Sequence, residues 1–189
     1  MWIVFVGPPG AGKGTQSERL IKYRNVKHLS TGDALRQATK DQTEVGRLAE
    51  KYMSAGQLVP DEIILRVVSE RLEQPEFKGG CLFDGFPRTI AQAESLDENL
   101  RRRGTPLDLA LELEVDDEEL FTRLSARGRQ DDLPEVIRER LDTYYRQTKP
   151  LVEYYKQQGI HRSVDGTGTP DEVFERIKSV VDGLPASGN

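Results

Sequence analysis

Behind the apolar run Trp2-Ile3-Val4-Phe5-Val6 stands Gly7-Pro8-Pro9-Gly10-Ala11-Gly12-Lys13-Gly14-Thr15, a set of glycines and one lysine spaced to hold a polyphosphate. A buried strand that breaks into a glycine-rich turn and then opens a helix aims several backbone N–H groups at one point. Lys13 adds a full positive charge there. The residues follow G-x-x-x-x-G-K-[ST] up to the last position, where Gly14 replaces the hydroxyl residue and Thr15 comes one place late. A switch-type site uses that hydroxyl as a direct Mg²⁺ ligand, so its displacement points to a metal held by phosphates and water. A dinucleotide site would need glycine where Thr15 stands. The alternative is a glycine-rich strand-to-helix turn that binds nothing.

A second chemical group begins at Asp84. The segment Asp84-Gly85-Phe86-Pro87-Arg88 follows the apolar Cys81-Leu82-Phe83, which puts a carboxylate and an arginine at the C-terminal end of a strand. Parallel α/β sheets hold their ligands at that edge. Asp84 is suited there to orient a hydrated Mg²⁺, and Arg88 to grip a second phosphate group with two parallel hydrogen bonds. The plainer reading is a turn carboxylate and a solvated arginine. Further along, Arg123 and Arg127 share a helix face at i and i+4, Arg129 follows Gly128, and Arg140 projects from the next helix, with Asp131 and Asp132 between them. Charge runs are usually solvated faces. Beside a phosphate loop they suit phosphoryl transfer, which needs in-line positioning and cations around the moving group more than an acid or a base.

The elements that must position these groups read as parallel α/β. Short apolar runs at Trp2 to Val6, Cys81 to Phe83, Leu109 to Val115 and His161 to Val164 alternate with helical patterns, and His28-Leu29-Ser30 supplies a brief further strand. The first helix is expected from about Lys13 to Arg24. Asp116 with Glu119, Asp132 with Glu135, and Thr169 with Glu172 have the spacing of helix caps, the last with Pro170 at the first helical position. Ile63, Ile64, Val67, Val68 and Leu72 recur at helical spacing, as do Val173, Phe174, Ile177, Val181 and Leu184; both stripes read as core. Pro150 should kink or divide the helical segment from about Leu133 to Gln158. Residues 31–59 carry two helical patterns with no strand between them, which reads as a mobile helical insertion with Gly32 and Gly56 as hinges, or as two ordinary surface helices. The tail Pro185 to Asn189 should fray.

Composition narrows the classes. At 189 residues, with 36% hydrophobic and 31% charged residues and a net charge of -5, the chain reads as one ordinary globular domain. It has no basic stripe for nucleic acid. The single cysteine, Cys81, excludes an internal disulfide and a multi-cysteine metal site, and its place in an apolar run gives it a packing role. No apolar stretch approaches the roughly 20 residues of a membrane span, so a cytoplasmic location is expected.

Five motifs in order, Gly7 to Gln16, Ser30-Thr31-Gly32-Asp33-Ala34-Leu35-Arg36, Gly56-Gln57-Leu58-Val59-Pro60, Phe83 to Thr89 and Gly128-Arg129-Gln130-Asp131-Asp132, resemble those of the adenylate kinase family over nearly the whole chain. The resemblance implies a three-layer P-loop fold: a central parallel five-stranded sheet flanked by helices, with a core of residues 1–29, 60–125 and 133–189. It also implies a nucleoside-monophosphate-binding insertion at 30–59 and a very short lid at 126–132. The activity implied is reversible phosphoryl transfer from MgATP to AMP, giving two ADP, in adenine nucleotide homeostasis by a monomeric enzyme. Matched position by position, Gly10, Ala11, Gly12, Lys13, Gly14 and Thr15 would cradle the ATP phosphates. Arg123 and Arg127 would lie on the ATP side, and the backbone near Gly168 would face its adenine. Thr31, Arg36, the backbone of Gln57, Leu58 and Val59, then Gly85, Phe86, Pro87, Arg88 and Gln92 would hold AMP. Lys13, Arg88, Arg127, Arg129 and Arg140 would form the catalytic set, with Arg129 and Arg140 also near the AMP phosphate and Asp131 and Asp132 orienting the arginines.

In long members of that family a separate lid, sometimes holding zinc through cysteines, lies between the positions of Arg127 and Arg129. Here only Gly128 separates them, which implies a vestigial, zinc-free lid and leaves open which of the two arginines faces which nucleotide. Two rivals remain. A uridylate-cytidylate kinase on the same scaffold is disfavoured by Thr31 and Thr89, where pyrimidine kinases tend to carry a smaller residue and an asparagine. A nucleotide-binding module without catalysis is disfavoured by the number of arginines.

Overall fold

Five short strands form one wholly parallel sheet in the order β2-β3-β1-β4-β5: β1 (Trp2–Val6), β2 (Lys27–Ser30), β3 (Cys81–Asp84), β4 (Leu109–Glu114) and β5 (His161–Asp165). The computed structural model describes residues 1–129 and 132–184. Val4 sits level with Phe83 on one side and Ala110 on the other, so β1 is the central strand, and chain order reverses around it. That reversal opens a crevice beyond the C-terminal ends of β1, β3 and β4.

Both faces of the sheet are covered, which is why its strands read as continuous apolar runs. On one face Val4, Val6, Phe83 and Ala110 pack with residues of α4 (Asp61–Leu72), α5 (Ile90–Arg102) and α8 (Pro150–Gln157). On the other, Ile3, Phe5, Leu109, Leu111 and Leu113 pack against α1 (Lys13–Arg24), α6 (Asp117–Arg127) and α9 (Pro170–Asp182). Full burial of side chains such as Phe5 and Phe83 contributes roughly 1.5–3 kcal/mol each. Cys81 is buried in this core, and burial pushes its thiol pKa up, as a packing role requires. Glu112 is the polar exception on β4; it is 1% exposed and bonded to Lys149 Nζ at 2.6 Å and His161 Nε2 at 2.9 Å.

Residues 31–54 form two helices, α2 (Thr31–Lys40) and α3 (Glu44–Ser54), with no strand between them. Their backbones touch: a Cβ at Gly46 would lie 2.0 Å from the Ala38 carbonyl oxygen, so only glycine fits. Gly32 falls inside α2, while Gly56 lies in the following loop at φ 72°.

Two expectations need correction. Asp132 does not cap a helix: α7 runs from Pro134 to Thr143 behind Leu133, and the Asp132 carboxylate is taken by arginines. The division of the long helical segment falls before Pro150. The chain passes from α7 into a π-helical turn (Tyr144–Thr148), and Pro150 then begins α8, where its missing N–H is harmless. The expected fraying of Pro185 to Asn189 and the role of Asp131 lie outside the described residues. Among those described, no helix is long and apolar enough to cross a membrane.

Candidate active site

The crevice is a cleft of about 700 Å³, and the loop Gly7 to Gly12 forms one wall of it. Gly12 is the N-cap of α1 at φ 94°, a left-handed conformation in which glycine carries no strain. Among the described α-helices only α1 has neither a side-chain cap nor an acidic residue in its first turn. Ser30, Thr43, Thr89, Asp116 and Thr169 cap α2, α3, α5, α6 and α9, and α4, α7 and α8 each carry acids at their start. The leading N–H groups of α1 therefore face the cleft without a competing side chain, which is the condition for anion binding.

Lys13 Nζ donates to the carbonyls of Gly7 at 2.6 Å and Pro8 at 2.8 Å. Its withdrawal from water is the largest influence on its pKa. Asp84 opposes that effect, Arg88, Arg140 and Arg127 reinforce it, and the pKa falls to about 7. Opposite the loop stands Asp84, with Oδ2 3.6 Å from His28 Nε2. Burial alone would raise the Asp84 carboxyl, but the His28 ring and the charges of Lys13 and Arg88 outweigh it and hold the group below the usual carboxylate range. A Cβ on Gly14 would sit 3.8 Å from Asp84 Oδ2, an ordinary contact, so crowding does not explain that glycine. One ionised carboxylate facing the loop suits a metal held through water, and no group of three or more His, Cys, Asp or Glu able to hold a metal occurs among the described residues.

The arginines converge as their spacing suggests. Arg123 bonds Glu119 at 2.7 Å and donates to the Gly166 carbonyl at 3.1 Å, which places it beside the loop that ends at Gly168. Arg127 makes two bonds to Asp132, at 2.9 and 2.6 Å; Arg140 adds a third at 3.2 Å and the Arg129 N–H a fourth at 2.9 Å. Burial opposes ionisation of Asp132, but the bonds from Arg127 and Arg129 and the nearby charges hold its pKa below the ordinary value. It therefore stays ionised to lower pH than an ordinary carboxylate. Removing it in Asp132→Ala leaves the Arg127 and Arg140 side chains and the Arg129 backbone without their shared anchor. Steady-state assays should show turnover reduced about 10²-fold, the cost of roughly ångström-scale misplacement; turnover within threefold of the parent would refute the anchoring role.

Beside the cleft lies a second cavity of about 70 Å³, lined by Thr31, Gln57, Leu58, Val59 and Gln92 among others. Arg36, Arg88 and Arg140 line both spaces, as does Gly85, whose carbonyl accepts from Thr31 Oγ1 at 2.9 Å and Arg88 Nε at 2.8 Å. Arg36 is held by an ion pair with Asp33. The structure thus gathers the expected residues Gly10 to Thr15, Asp84, Pro87, Arg123, Arg127, Arg129 and Gly168 in the cleft. Phe86 is the exception. Its ring is fully buried and packs 6.1 Å from that of Phe83, so its side chain belongs to the core. Three contributors went unread: His28 beside Asp84, Glu119 as the Arg123 partner, and Thr148, whose hydroxyl donates to the Arg88 carbonyl at 2.9 Å. Thr148 lies 60 residues from Arg88, and no local pattern marks it.

The family model described as Adenylate kinase matches residues 5–160. The chain belongs to the adenylate kinase family. It is similar to curated adenylate kinases from several bacteria. That of Maricaulis maris is 50% identical over 186 residues, covering 96% of this chain and 99% of the relative. The relative from Parabacteroides distasonis is 47% identical over 186 residues, covering 96% and 98%. A third, from Synechococcus sp. (strain RCC307), is 50% identical over 179 residues, covering 95% and 97%. Membership makes the chain a nucleotide-binding phosphotransferase, and its length fits the short-lid type.

Proposed function

We propose that the chain transfers the terminal phosphoryl group of MgATP reversibly to AMP, giving two ADP. The observation that carries the reading is the pair of adjoining cavities with Arg36, Arg88 and Arg140 on their common boundary. Two nucleotides placed end to end would meet at those cations. The open N-terminus of α1 and Lys13 hold the donor phosphates, Arg123 and the backbone near Gly168 flank the donor base, and Thr31, Gln57 to Val59 and Gln92 enclose the acceptor nucleoside. Arg88, Arg129 and Arg140 surround the moving group, where positioned positive charge stabilises the transition state. Asp84 would orient water around the Mg²⁺ that comes with ATP, an ion that would supply positive charge against the phosphate oxygens. The enzyme works as a zinc-free cytoplasmic monomer, with no nucleic acid or membrane partner.

The core comprises 1–29, 60–125 and 133–189, and the 30–59 insertion closes over AMP because the lid at 126–132 is too short to exclude water unaided. An open site would let water take the phosphoryl group. One coupled assay with AMP, UMP, CMP and GMP tests the acceptor: AMP should be fastest, and faster turnover of UMP or CMP would replace the reading with a pyrimidine kinase. Formation of no ADP from ATP and AMP would leave a binding module. The buried Cys81 allows cysteine labels at exposed Lys51 and Ser125, whose separation should shorten when both nucleotides bind. An unchanged separation would make the insertion static.

A further inference from the structure

The side-chain amide of Gln92 is held by two partners that can each act in only one way. Its Nε2 donates to Asp61 Oδ1 at 2.6 Å, and its Oε1 accepts from the Arg88 backbone N–H at 2.7 Å. A carboxylate can only accept and a backbone N–H can only donate, so turning the amide over would set donor against donor and acceptor against acceptor. The chemistry of the partners, not the placement of similar atoms, assigns which end is nitrogen. Asp61 is fixed in turn. It opens α4 directly behind Pro60, and its Oδ2 accepts from Thr89 Oγ1 at 2.9 Å. Thr89 caps α5, its Oγ1 accepting from the Gln92 N–H at 3.2 Å, which closes a ring of bonds joining the starts of the two helices.

After these bonds Gln92 retains one N–H and one oxygen lone pair, and the residue lines the 70 Å³ cavity with Thr31, Leu58 and Val59. A 6-aminopurine offers an acceptor at N1 next to a donor at N6, the complement of an amide edge in this orientation. A 6-oxopurine offers the reverse. We infer that Asp61 is a specificity-determining positioning residue: by fixing the Gln92 amide it selects a 6-aminopurine over a 6-oxopurine as the acceptor base. The inference rests on reading this cavity as the acceptor-base site.

The test compares AMP with IMP as acceptors, by kcat/KM, in the parent and three variants. Asp61→Leu removes the acceptor for Gln92 and should lower the AMP:IMP ratio at least about tenfold, chiefly through a higher KM for AMP, with kcat for AMP changed about threefold or less. Asp61→Asn still offers a carbonyl oxygen and should recover much of the ratio. Thr89→Val, which frees one oxygen of Asp61, should lower it severalfold and serves if the leucine variant does not fold. Selectivity within twofold of the parent in the leucine and valine variants, or an asparagine variant no better than leucine, would overturn the inference. A merely structural role would lower thermal stability and leave the ratio alone. Failure of the parent to phosphorylate AMP, or to prefer it to IMP, would instead count against the acceptor-site reading.

Discussion

Replacing Arg88 with alanine lowers kcat about 10³-fold while ATP affinity stays near that of the parent, the loss expected when a cation around a transferring phosphoryl group is removed. The backbone of Arg88 is held independently of its side chain, through its N–H to Gln92 at 2.7 Å and its carbonyl to Thr148 at 2.9 Å. The loop therefore keeps its place when the guanidinium is lost. The side chain lies where the two cavities meet, while the donor phosphates keep the N–H groups of the loop and Lys13, so donor binding should be spared. Arg88→Lys keeps the charge but not the planar two-pronged donor and should recover little of the rate. Steady-state kinetics with ATP binding measured separately decides the matter, and near-normal turnover in the alanine variant would remove Arg88 from the mechanism.

Lys13→Met has the other large effect. Phosphoryl transfer should fall by about 10³-fold or more, because the variant loses the only side-chain cation of the loop itself. The same variant exposes a proton linkage. In the free protein the Lys13 pKa is lowered to about 7, chiefly by withdrawal from water, so at pH 8 the amine is mostly neutral. A bound polyphosphate favours the charged form, and binding at pH 8 must take up close to one proton. Apparent ATP affinity then falls as pH rises above about 7, by at most tenfold per unit. Stability of the free chain has the opposite slope: the unfolded lysine binds a proton up to its ordinary value and the folded one does not, so stability rises between about 7 and 10.5. Calorimetry of ATP binding in buffers of different ionisation heat measures the uptake. Equal uptake by parent and Lys13→Met would assign the proton elsewhere.

Elements set by near neighbours were legible along the chain. The predicted helix Lys13 to Arg24 matches α1 residue for residue, and the five strands lie where the apolar runs stand, within a residue or so at each end. Thr169, Pro170 and Glu172 form the capping box their spacing suggests. Asp132 has the same spacing to Glu135 yet serves no cap, because the guanidinium groups of Arg127 and Arg140 and the Arg129 backbone N–H take its carboxylate, and bonds from two cations outweigh a single cap bond. Phe86 is a motif position whose ring packs in the core, which leaves its backbone as the part able to face the site.

The line between the two kinds of knowledge follows the range of the forces involved. Strand, turn, cap and phosphate loop depend on residues within a turn or two of each other, so residue type and spacing sufficed for the P-loop, the alternation of strand and helix, and the family. Which groups fix Gln92 and the backbone of Arg88 depends on segments that meet only after the sheet has assembled. Asp61 reaching Gln92 across 31 positions and Thr148 reaching Arg88 across 60 are of that kind. Their bonds arise because the loop after β3, the starts of α4 and α5 and the π-helical turn are brought together at one sheet edge, and no periodicity in the chain encodes contacts between residues so far apart.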